Sequence, residues 1–331
     1  MPTISLTSGK NFDAAEGISI LDASARSTAF LPYSCKTGRC STCKCRVIQG
    51  TTKALQDETG LTNEEKNDGW ILSCVRTPIT NIILDVEDLD GISLPTAKTV
   101  PCRISSIEKL AADVLRVRLR LPPSSDFSYL PGQYIDIIGS GGVRRSYSLA
   151  NASYADKLLE LHIRAVDGGV MSDYWFNRAQ VNDLLRLNGP LGTSVLRQIA
   201  NRDLIFLATG TGFAPVNAML ASLANMAPEF KPKTVSVFWG GRKEEDLYLE
   251  YKSLQSLCNF VPVLSRPSEN WTGAKGYVQH AALTGCPDLS NATVYACGSN
   301  GMIQSAKIAL TQAGLPVERF YSDAFVCSAT N

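Results

Sequence analysis

The stretch Cys35-Lys-Thr-Gly-Arg-Cys40-Ser-Thr-Cys43 brings three cysteines into nine residues, and Cys74 follows about thirty residues later. Five of the ten cysteines lie in the first quarter of the chain, and the other five are scattered singly. The N-terminus lacks the charged and apolar regions of a signal peptide, so we expect a cytoplasmic protein with reduced cysteines. The cluster therefore predicts metal binding or redox chemistry rather than disulfides.

The spacing C-x4-C-x2-C with a distant fourth cysteine is the plant-type [2Fe–2S] pattern. Gly38 permits the tight backbone that turns such a loop inward, where amide N–H groups can hydrogen-bond the sulfurs. A structural zinc site is the main alternative, because four thiolates also suit tetrahedral Zn²⁺. The next cysteine, Cys45, lies in an apolar run and is predicted to be a core residue. The predicted iron ligands are Cys35, Cys40, Cys43 and Cys74.

The residues around this cluster predict a small domain of strands and short helices. Alternation over Thr3–Leu6 predicts a first strand, and helical spacing predicts helices over Ile18–Ala29 and Leu61–Trp70. Residues 1 to about 90 resemble a plant-type ferredoxin domain, which implies a β-grasp-like fold. Ser41 stands where many bacterial relatives carry glycine, a departure that removes no ligand.

A change of pattern marks the middle of the chain. Residues 86–101 contain two prolines and little periodicity, which indicates a linker. Beyond it, short runs such as Val114–Leu121, Tyr134–Ile138 and Leu159–Arg164 alternate between apolar and polar residues. Several such runs separated by glycine and proline predict a small antiparallel barrel.

Two motifs in this middle segment suit a flavin. Arg145-Ser146-Tyr147-Ser148 offers a guanidinium for phosphate, a ring for stacking and a hydroxyl donor beside that ring. Gly168-Gly169-Val170-Met171-Ser172 leads into an apparent helix over 171–177, which suits a pyrophosphate. In this order they resemble the flavin-binding barrel of the ferredoxin–NADP⁺ reductase superfamily.

That resemblance implies a role for each motif. Arg145 would contact the flavin phosphate with Ser146 beside it, Tyr147 would stack on the isoalloxazine, and Ser148 would hydrogen-bond near N5. The expected flavin is FAD, with FMN as the alternative. The residues expected to hold the FAD pyrophosphate are Gly169, Val170, Met171 and Ser172.

The last segment begins with a buried strand and a glycine-rich turn. Leu204–Ala208 is continuously apolar and runs into Thr209-Gly210-Thr211-Gly212-Phe213-Ala214-Pro215, followed by a helical stretch. Strand, glycine turn and helix in this order predict a nucleotide phosphate site in a doubly wound α/β domain. Proline at the later position resembles the reductase version of this motif. The residues predicted to bind the nucleotide are Gly210, Thr211, Gly212 and Pro215.

The end of the chain is expected to complete the site. By the same resemblance, Cys297 and Gly298 lie beside the nicotinamide, and Phe325 covers one flavin face and yields to the nicotinamide. Cys297 could instead be a buried strand-end thiol, and Phe325 could simply dock the tail. The residues predicted to act at the reacting centre are Ser148, Cys297 and Phe325.

The preferred nucleotide is left open between NADH and NADPH. Arg242 and Lys243 could bind a 2′-phosphate, but Glu244 and Glu245 follow them directly, and a solvated charged loop explains all four. We therefore expect NADH, with NADPH possible.

Together the segments predict a multidomain α+β and α/β protein. The expected domains are a [2Fe–2S] ferredoxin (1–92), an antiparallel FAD-binding β-barrel (99–198) and a doubly wound parallel-sheet NAD(P)H domain (199–331). Such an order implies an oxidoreductase that converts hydride transfer into one-electron transfer.

Segments such as Leu130–Asp136 and Trp271–Gly276 resemble the CDP-6-deoxy-3,4-glucoseen reductases. That family implies an iron–sulfur, pyridoxamine-phosphate sugar dehydrase as the electron acceptor, in 3,6-dideoxyhexose biosynthesis for O-antigen. One alternative is the reductase component of an aromatic-ring or alkane oxygenase, and another is a non-catalytic, cluster-bearing sensor.

Composition excludes several other classes. The 331 residues are 44% hydrophobic and 19% charged, with 32 Lys and Arg against 31 Asp and Glu. This balance argues against a nucleic-acid partner, and no apolar run is long enough to cross a membrane. His162 and His280 lack neighbouring ligand residues in sequence and are predicted to be structural. We expect a monomer.

Overall fold

The computed structural model describes residues 1–89, 91–152, 157–251, 254 and 258–325. The chain divides into two units, Met1–Leu94 with Gly192–Ser194 and Pro95–Leu191 with Val195–Asn331. The second unit contains two separate six-stranded sheets. The predicted boundary between residues 198 and 199 falls within this unit and stays a prediction. Among the described residues, no helix is both long and apolar enough to cross a bilayer.

The first unit contains a mixed five-stranded sheet in the order β2-β1-β7-β3-β5. β1 and β7 are parallel, and the other neighbours are antiparallel. Buried side chains of this sheet and of helix α1 form one apolar core. The elements are β1 (Thr3–Leu6), β2 (Asn11–Asp13), α1 (Ile20–Ser24), β3 (Lys44–Gln49), β4 (Thr52–Ala54), α2 (Asn63–Asn67), β5 (Trp70–Leu72), β6 (Arg76–Pro78) and β7 (Ile82–Asp85), with β4 and β6 forming a separate pair.

The helices of this unit are shorter than the sequence predicts. The Ser19 hydroxyl caps α1, but the Ser24 hydroxyl donates to the Leu21 carbonyl and the Ser27 hydroxyl donates to the Ser24 carbonyl. Such local side-chain hydrogen bonds compete with continuation of the helix, so α1 ends at Ser24. A capping box between Thr62 and Glu65 starts α2, which ends at Asn67.

A buried carboxylate fixes the segment around Cys74. Glu58 accepts the Leu72 backbone N–H at 2.8 Å, and its other oxygen accepts Nε and Nη2 of Arg76 at 2.9 and 2.8 Å. Glu58 is only 5% exposed. Because Leu72 and Arg76 flank the short 3-10 turn Ser73–Val75, these bonds hold both ends of the turn that presents the fourth sulfur.

The first sheet of the second unit forms a barrel with β11-β10-β13-β8-β9-β12 order and antiparallel neighbours throughout. A bridge between Leu149 and Leu161 joins the two ends of this order and closes the sheet. Its strands are β8 (Lys98–Ala111), β9 (Val114–Arg120), β10 (Tyr134–Ile138), β11 (Arg144–Ser148), β12 (Leu158–Arg164) and β13 (Leu184–Leu191). Helix α3 (Val170–Asp173) continues as a π-helix over Tyr174–Arg178, so the predicted helix over 171–177 is present in an altered form.

The second sheet is parallel throughout, in the order β17-β16-β15-β14-β18-β19. The strand order reverses between β14 and β18, which makes their carboxyl ends the switch point where doubly wound sheets bind ligands. The elements are β14 (Asp203–Thr209), α4 (Phe213–Ala224), β15 (Thr234–Gly241), β16 (Asn259–Leu264), β17 (Ala274–Lys275), α5 (Val278–Gly285), β18 (Ala292–Gly298), α6 (Asn300–Gln312) and β19 (Phe320–Ala324).

Loss of the Glu58–Arg76 pair should reduce the unfolding free energy more than loss of the exposed Lys36–Asp22 pair. Glu58→Ala leaves the Arg76 charge half-buried without its carboxylate, and we expect a loss of about 3 kcal/mol in the unfolding free energy. Lys36→Met removes an exposed pair with Asp22 at 3.6 Å and should cost less than about 1 kcal/mol. Guanidinium denaturation of the full chain measures both, and equal losses would contradict this role of Glu58.

Candidate functional site

The four predicted cysteines come together as two pairs of sulfurs. Cys43 Sγ lies 3.2 Å from Cys74 Sγ, and the Cys35 and Cys40 side chains hydrogen-bond each other. Among the described residues, no three Cys, His, Asp or Glu side chains converge as ligands of one metal ion. Two thiolate pairs fit two metals with two protein ligands each, as in a [2Fe–2S] cluster, better than one tetrahedral zinc.

The backbone of this loop stabilises thiolates. The N–H of Cys35 points at Cys40 Sγ and that of Thr37 at Cys35 Sγ, each at 3.4 Å. The hydrogen bond from the Cys40 thiol, with further bonds from Thr37 and Arg39, lowers the pKa of Cys35 to about 4 despite burial. The hydrogen bond from the Cys43 thiol likewise lowers the pKa of Cys74. The same two hydrogen bonds raise the pKa of the donor thiols, Cys40 and Cys43. Each pair therefore favours one thiolate and one thiol until a metal ion takes up the second charge.

The loop reaches this geometry through left-handed backbone at three residues, Lys36, Gly38 and Ser41. Gly38 has φ +73°, and a Cβ there would lie 2.5 Å from the Asp57 carbonyl oxygen. Ser41 has φ +62°, and its hydroxyl donates to the Gly60 carbonyl, which anchors this departure from glycine.

Cys45 is separate from the ligand set. Its side chain is fully buried in the sheet core, and desolvation raises its pKa to about 12. A neutral buried thiol is what the sequence predicts for a core residue, so that expectation is confirmed.

The predicted flavin residues lie on β11, next to β10. Arg145 and Tyr147 alternate with Ser146, whose hydroxyl donates to Asp136 at 2.6 Å. Arg145 and Tyr147 therefore share one side of the strand. Ser148 ends the strand, pairs with Tyr134 and is buried.

Trp175 is a site residue that the sequence did not reveal. Its Nε1 donates to the Tyr147 hydroxyl at 2.9 Å, and the two rings meet edge to face at 6.1 Å. Burial raises the pKa of Tyr147 to about 12, so the phenol stays neutral. Trp175 thus fixes the ring that is predicted to stack on the flavin.

The Gly169–Ser172 segment forms the start of α3. Gly169 is the N-terminal cap, Val170 is exposed and Met171 is buried. The Ser172 hydroxyl accepts the Val166 N–H at 2.9 Å, which closes the loop before the helix. The amides of the first helical turn have no acceptor within the helix and are available to an anion.

A cleft of about 660 Å³ opens at the carboxyl ends of β14 and β18. Four of the predicted residues line it: Gly210, Thr211, Gly298 and Phe325. Gly212, Pro215 and Cys297 are buried. The Cys297 thiol is fully buried, and desolvation raises its pKa well above the usual value, so it is a neutral thiol rather than a nucleophile.

Phe325 and Gly298 meet at the cleft. The Phe325 backbone N–H donates to the Gly298 carbonyl at 2.8 Å, and its side chain is 37% exposed. Gly298 has φ +143°, and a Cβ there would overlap the Thr209 hydroxyl oxygen. The close approach of Thr209 and Gly298 therefore requires glycine.

Sequence reasoning missed the charged wall of this cleft. Arg164 comes from β12 and lies so close to Gly210 that a Cβ there would be 2.9 Å from Nη1. It also pairs with Asp113 at 3.3 Å and Asp246 at 3.6 Å. In sequence, Arg164 only ends an alternating strand, so no local signal marks it. Its guanidinium lies beside the glycine turn, between two carboxylates that partly offset its charge.

Arg242 also lines the cleft, but a carboxylate already engages it. Asp246 accepts Nε and Nη2 of Arg242 at 3.1 Å each, and its backbone N–H at 2.7 Å. The neighbouring Glu244 accepts the Ser268 hydroxyl at 2.6 Å. Two of the four residues in the predicted charged loop, Arg242 and Glu244, therefore already have partners.

Sequence comparison assigns each of these regions to a family. The 2Fe-2S iron-sulfur cluster binding domain matches residues 5–78, the oxidoreductase FAD-binding domain 101–195 and the oxidoreductase NAD-binding domain 206–307. The chain is 40% identical to the CDP-6-deoxy-L-threo-D-glycero-4-hexulose-3-dehydrase reductase of Yersinia pestis, over 97% of both chains. The chain belongs to this reductase family.

More distant similarities share the same architecture. The reductase is 29% identical to the reductase component of the naphthalene 1,2-dioxygenase/salicylate 5-hydroxylase systems of Ralstonia sp, over 95% of both chains. The crystal structure of Amycolatopsis cytochrome P450 reductase GcoB superposes with a TM-score of 0.76 at 27% identity, covering 98% of this chain and 99% of that one. The reductase is an NAD(P)H-dependent iron–sulfur flavoprotein, which confirms the predicted fold class and cofactor set.

Alanine substitution at two glycines of this cleft, Gly298 and Gly301, should change NAD⁺ affinity to different extents. Gly298→Ala forces a Cβ against Thr209 at an unfavourable φ, a strain of about 1–3 kcal/mol, and should weaken NAD⁺ binding roughly tenfold. Gly301→Ala is the matched control, because a Cβ at Gly301 meets nothing within 4 Å. Calorimetric titration with NAD⁺ measures both dissociation constants. Unchanged affinity in Gly298→Ala would contradict the close-approach argument.

Proposed function

We propose that the reductase takes electrons from NADH and delivers them to an iron–sulfur, pyridoxamine-phosphate sugar dehydrase. The partner would hold a CDP-6-deoxyhexose intermediate, and its C-3 deoxygenation would serve 3,6-dideoxyhexose biosynthesis for O-antigen. The observation that carries this proposal is 40% identity, over 97% of both chains, to a reductase named for a CDP-6-deoxy-hexulose 3-dehydrase.

The barrel residues would hold and orient the flavin. When bound, FAD accepts a hydride and the [2Fe–2S] cluster transfers electrons singly. We assign the Arg145 guanidinium to the flavin phosphate, the Tyr147 ring to stacking and the Ser148 hydroxyl to a hydrogen bond near N5. The bond from Trp175 to the Tyr147 hydroxyl supports this assignment, because it restrains the stacking ring.

The start of α3 would bind the FAD pyrophosphate. Its first-turn amides, from Val170 to Ser172, follow a glycine cap, and helix N-terminal amides favour anions. The bond from the Val166 N–H to the Ser172 hydroxyl supports this role by keeping the loop closed. Gly169 allows the backbone to approach the phosphates, and Met171 anchors the helix in the barrel core.

The cleft at the switch point would bind NADH. Gly210 and Thr211 would contact its diphosphate, with Arg164 as the nearby cation. Gly212 and Pro215, which are buried, would support the turn without contacting the dinucleotide. Cys297 and Gly298 would lie beside the nicotinamide, and Phe325 would cover the flavin until the nicotinamide displaces it.

NADH is proposed over NADPH because of one ion pair. The Arg242 guanidinium is the side chain best able to receive a 2′-phosphate after β15, but Asp246 already binds it through two nitrogens. The carboxylate would also repel the added phosphate.

We further propose a monomeric, cytoplasmic protein. The second candidate partner is an oxygenase component, which is favoured by 29% identity to the naphthalene dioxygenase reductase component. Reconstitution separates the candidates: NADH-dependent formation of a 3-deoxy product with a sugar dehydrase supports the first. Turnover with an oxygenase component, and none with the dehydrase, would overturn it.

Loss of one cluster ligand should separate two activities. Cys40→Ser breaks one sulfur pair, so electron transfer to a protein partner should fall to background. Reduction of ferricyanide by NADH should persist, because the flavin can serve this dye directly. Cys286→Ser, at a half-buried cysteine outside the pairs, should keep both activities. Partner turnover retained by Cys40→Ser would count against the cluster's role.

Flavin retention should depend on one of two adjacent arginines. Arg145→Ala removes the proposed phosphate contact, worth about 1.5–3 kcal/mol for a charged hydrogen bond, and should weaken flavin binding roughly ten- to hundredfold. Arg144→Ala is the control, since Arg144 lies on the other side of β11 and is exposed. Fluorescence of flavin in the filtrate after dilution measures the loss, and a full flavin complement in Arg145→Ala would refute the contact.

A further inference from the structure

A buried chain of polar and aromatic side chains links the barrel to the glycine turn of the nucleotide cleft. It begins at Glu160 and His162 on β12, continues through Tyr248 and Trp239, and ends at the Gly210 carbonyl. His162 lies 3.0 Å from Glu160 Oε1 and 3.1 Å from the Tyr248 hydroxyl. Trp239 Nε1 donates to the Gly210 carbonyl at 3.0 Å. We call these four side chains the β12 relay.

The hydrogen-bond directions in the relay follow from chemistry. Burial opposes ionisation of Glu160, but hydrogen bonds from His162 and Arg118 prevail and lower its pKa to about 2. The carboxylate is then an acceptor only, so His162 Nε2 carries the proton and donates to it. Burial lowers the pKa of His162, which keeps the ring neutral. Nδ1 is therefore an acceptor, and the Tyr248 hydroxyl donates to it.

Tyr248, held by its hydrogen bond to His162, packs against the indole ring of Trp239. Its ring meets His162 edge to face at 5.4 Å and Trp239 edge to face at 5.1 Å. Trp239 is fully buried and also stacks on Phe213, the first residue of α4, at 4.4 Å. The indole thus contacts both ends of the turn between β14 and α4.

Two donors fix the direction of the Gly210 carbonyl in the glycine turn: the Phe213 backbone N–H and Trp239 Nε1. A trans peptide is planar, so the Gly210 carbonyl and the Thr211 N–H point in opposite directions. Trp239, together with the Phe213 N–H, holds that carbonyl on the buried side, which turns the Thr211 N–H toward the cleft that Gly210 and Thr211 line. Rotation of this peptide would instead present a carbonyl oxygen to an anionic ligand.

We propose that His162 and Tyr248 are positioning residues for the dinucleotide: through Trp239 they keep the Thr211 N–H directed at its diphosphate. This inference rests on the proposed binding of NADH in the cleft. The barrel strand that carries His162 thereby sets the affinity of the glycine turn for its ligand, although neither side chain lines the cleft.

The first test removes one hydroxyl and leaves the ring. Tyr248→Phe should weaken NAD⁺ binding roughly three- to tenfold, the range expected for one net hydrogen bond. In steady state it should raise the KM for NADH more than it lowers kcat. Tyr129→Phe is the matched control, because it removes a buried tyrosine hydroxyl that bonds Asn151 in the same unit. Its melting temperature should fall similarly, with NAD⁺ affinity unchanged.

Two substitutions of His162 test whether its bond to Tyr248, rather than its bond to Glu160, supports NAD⁺ binding. In His162→Asn the amide oxygen can replace Nδ1 as the acceptor for Tyr248, so NAD⁺ affinity should stay within about twofold of wild type. In His162→Gln the amide reaches the Nε2 position and bonds Glu160 but leaves Tyr248 without its acceptor, so affinity should fall as in Tyr248→Phe.

Calorimetry with NAD⁺ on the FAD-loaded full chain separates the outcomes. Wild-type protein that fails to bind NAD⁺ would overturn the proposed function itself. If wild-type protein binds NAD⁺ and both Tyr248→Phe and His162→Gln bind it as tightly as wild type, the relay alone is overturned. Weaker binding by His162→Asn than by His162→Gln would also overturn the relay.

Discussion

The close approach of sulfur atoms in the first unit is the constraint on which the rest of the protein depends. Four thiolates repel one another and resist burial, so they meet only where the backbone supplies compensating N–H groups and a metal core can share their charge. The loop achieves this through left-handed residues and the inward turn at Gly38. Glu58 contributes by bonding both flanks, Leu72 and Arg76, of the 3-10 turn that carries Cys74.

A similar constraint operates at the cleft of the second unit. Thr209 and Gly298 end two parallel strands where the strand order reverses, and the Thr209 hydroxyl lies too close for a side chain at Gly298. At both centres, therefore, a glycine allows another part of the chain to come closer than a Cβ would permit. The two centres differ in charge, since the first contains paired sulfurs that bind metal as thiolates and the second contains arginine and backbone amides.

The sequence predicts the parts of this protein that depend on local spacing. The cysteine spacing predicts the four sulfurs that meet in two pairs, and alternation predicts the strands Thr3–Leu6 and Tyr134–Ile138. The helix predicted over Ile18–Ala29 is too long, since composition alone does not reveal that serine hydroxyls will bond its backbone. Trp175, Arg164 and Tyr248 could not be predicted, because each acts through a partner 28 or more residues away that only the fold brings near. The separation between Trp175 and Tyr147 alone is 28 residues.

The central claim is that the sulfur pairs of Cys35 with Cys40 and of Cys43 with Cys74 hold two bridged irons. Iron, acid-labile sulfide and zinc analysis of anaerobically purified full chain tests it most directly. The account predicts about two irons and two sulfides per chain with negligible zinc, as a [2Fe–2S] cluster requires. One zinc per chain, with neither iron nor sulfide, would contradict it.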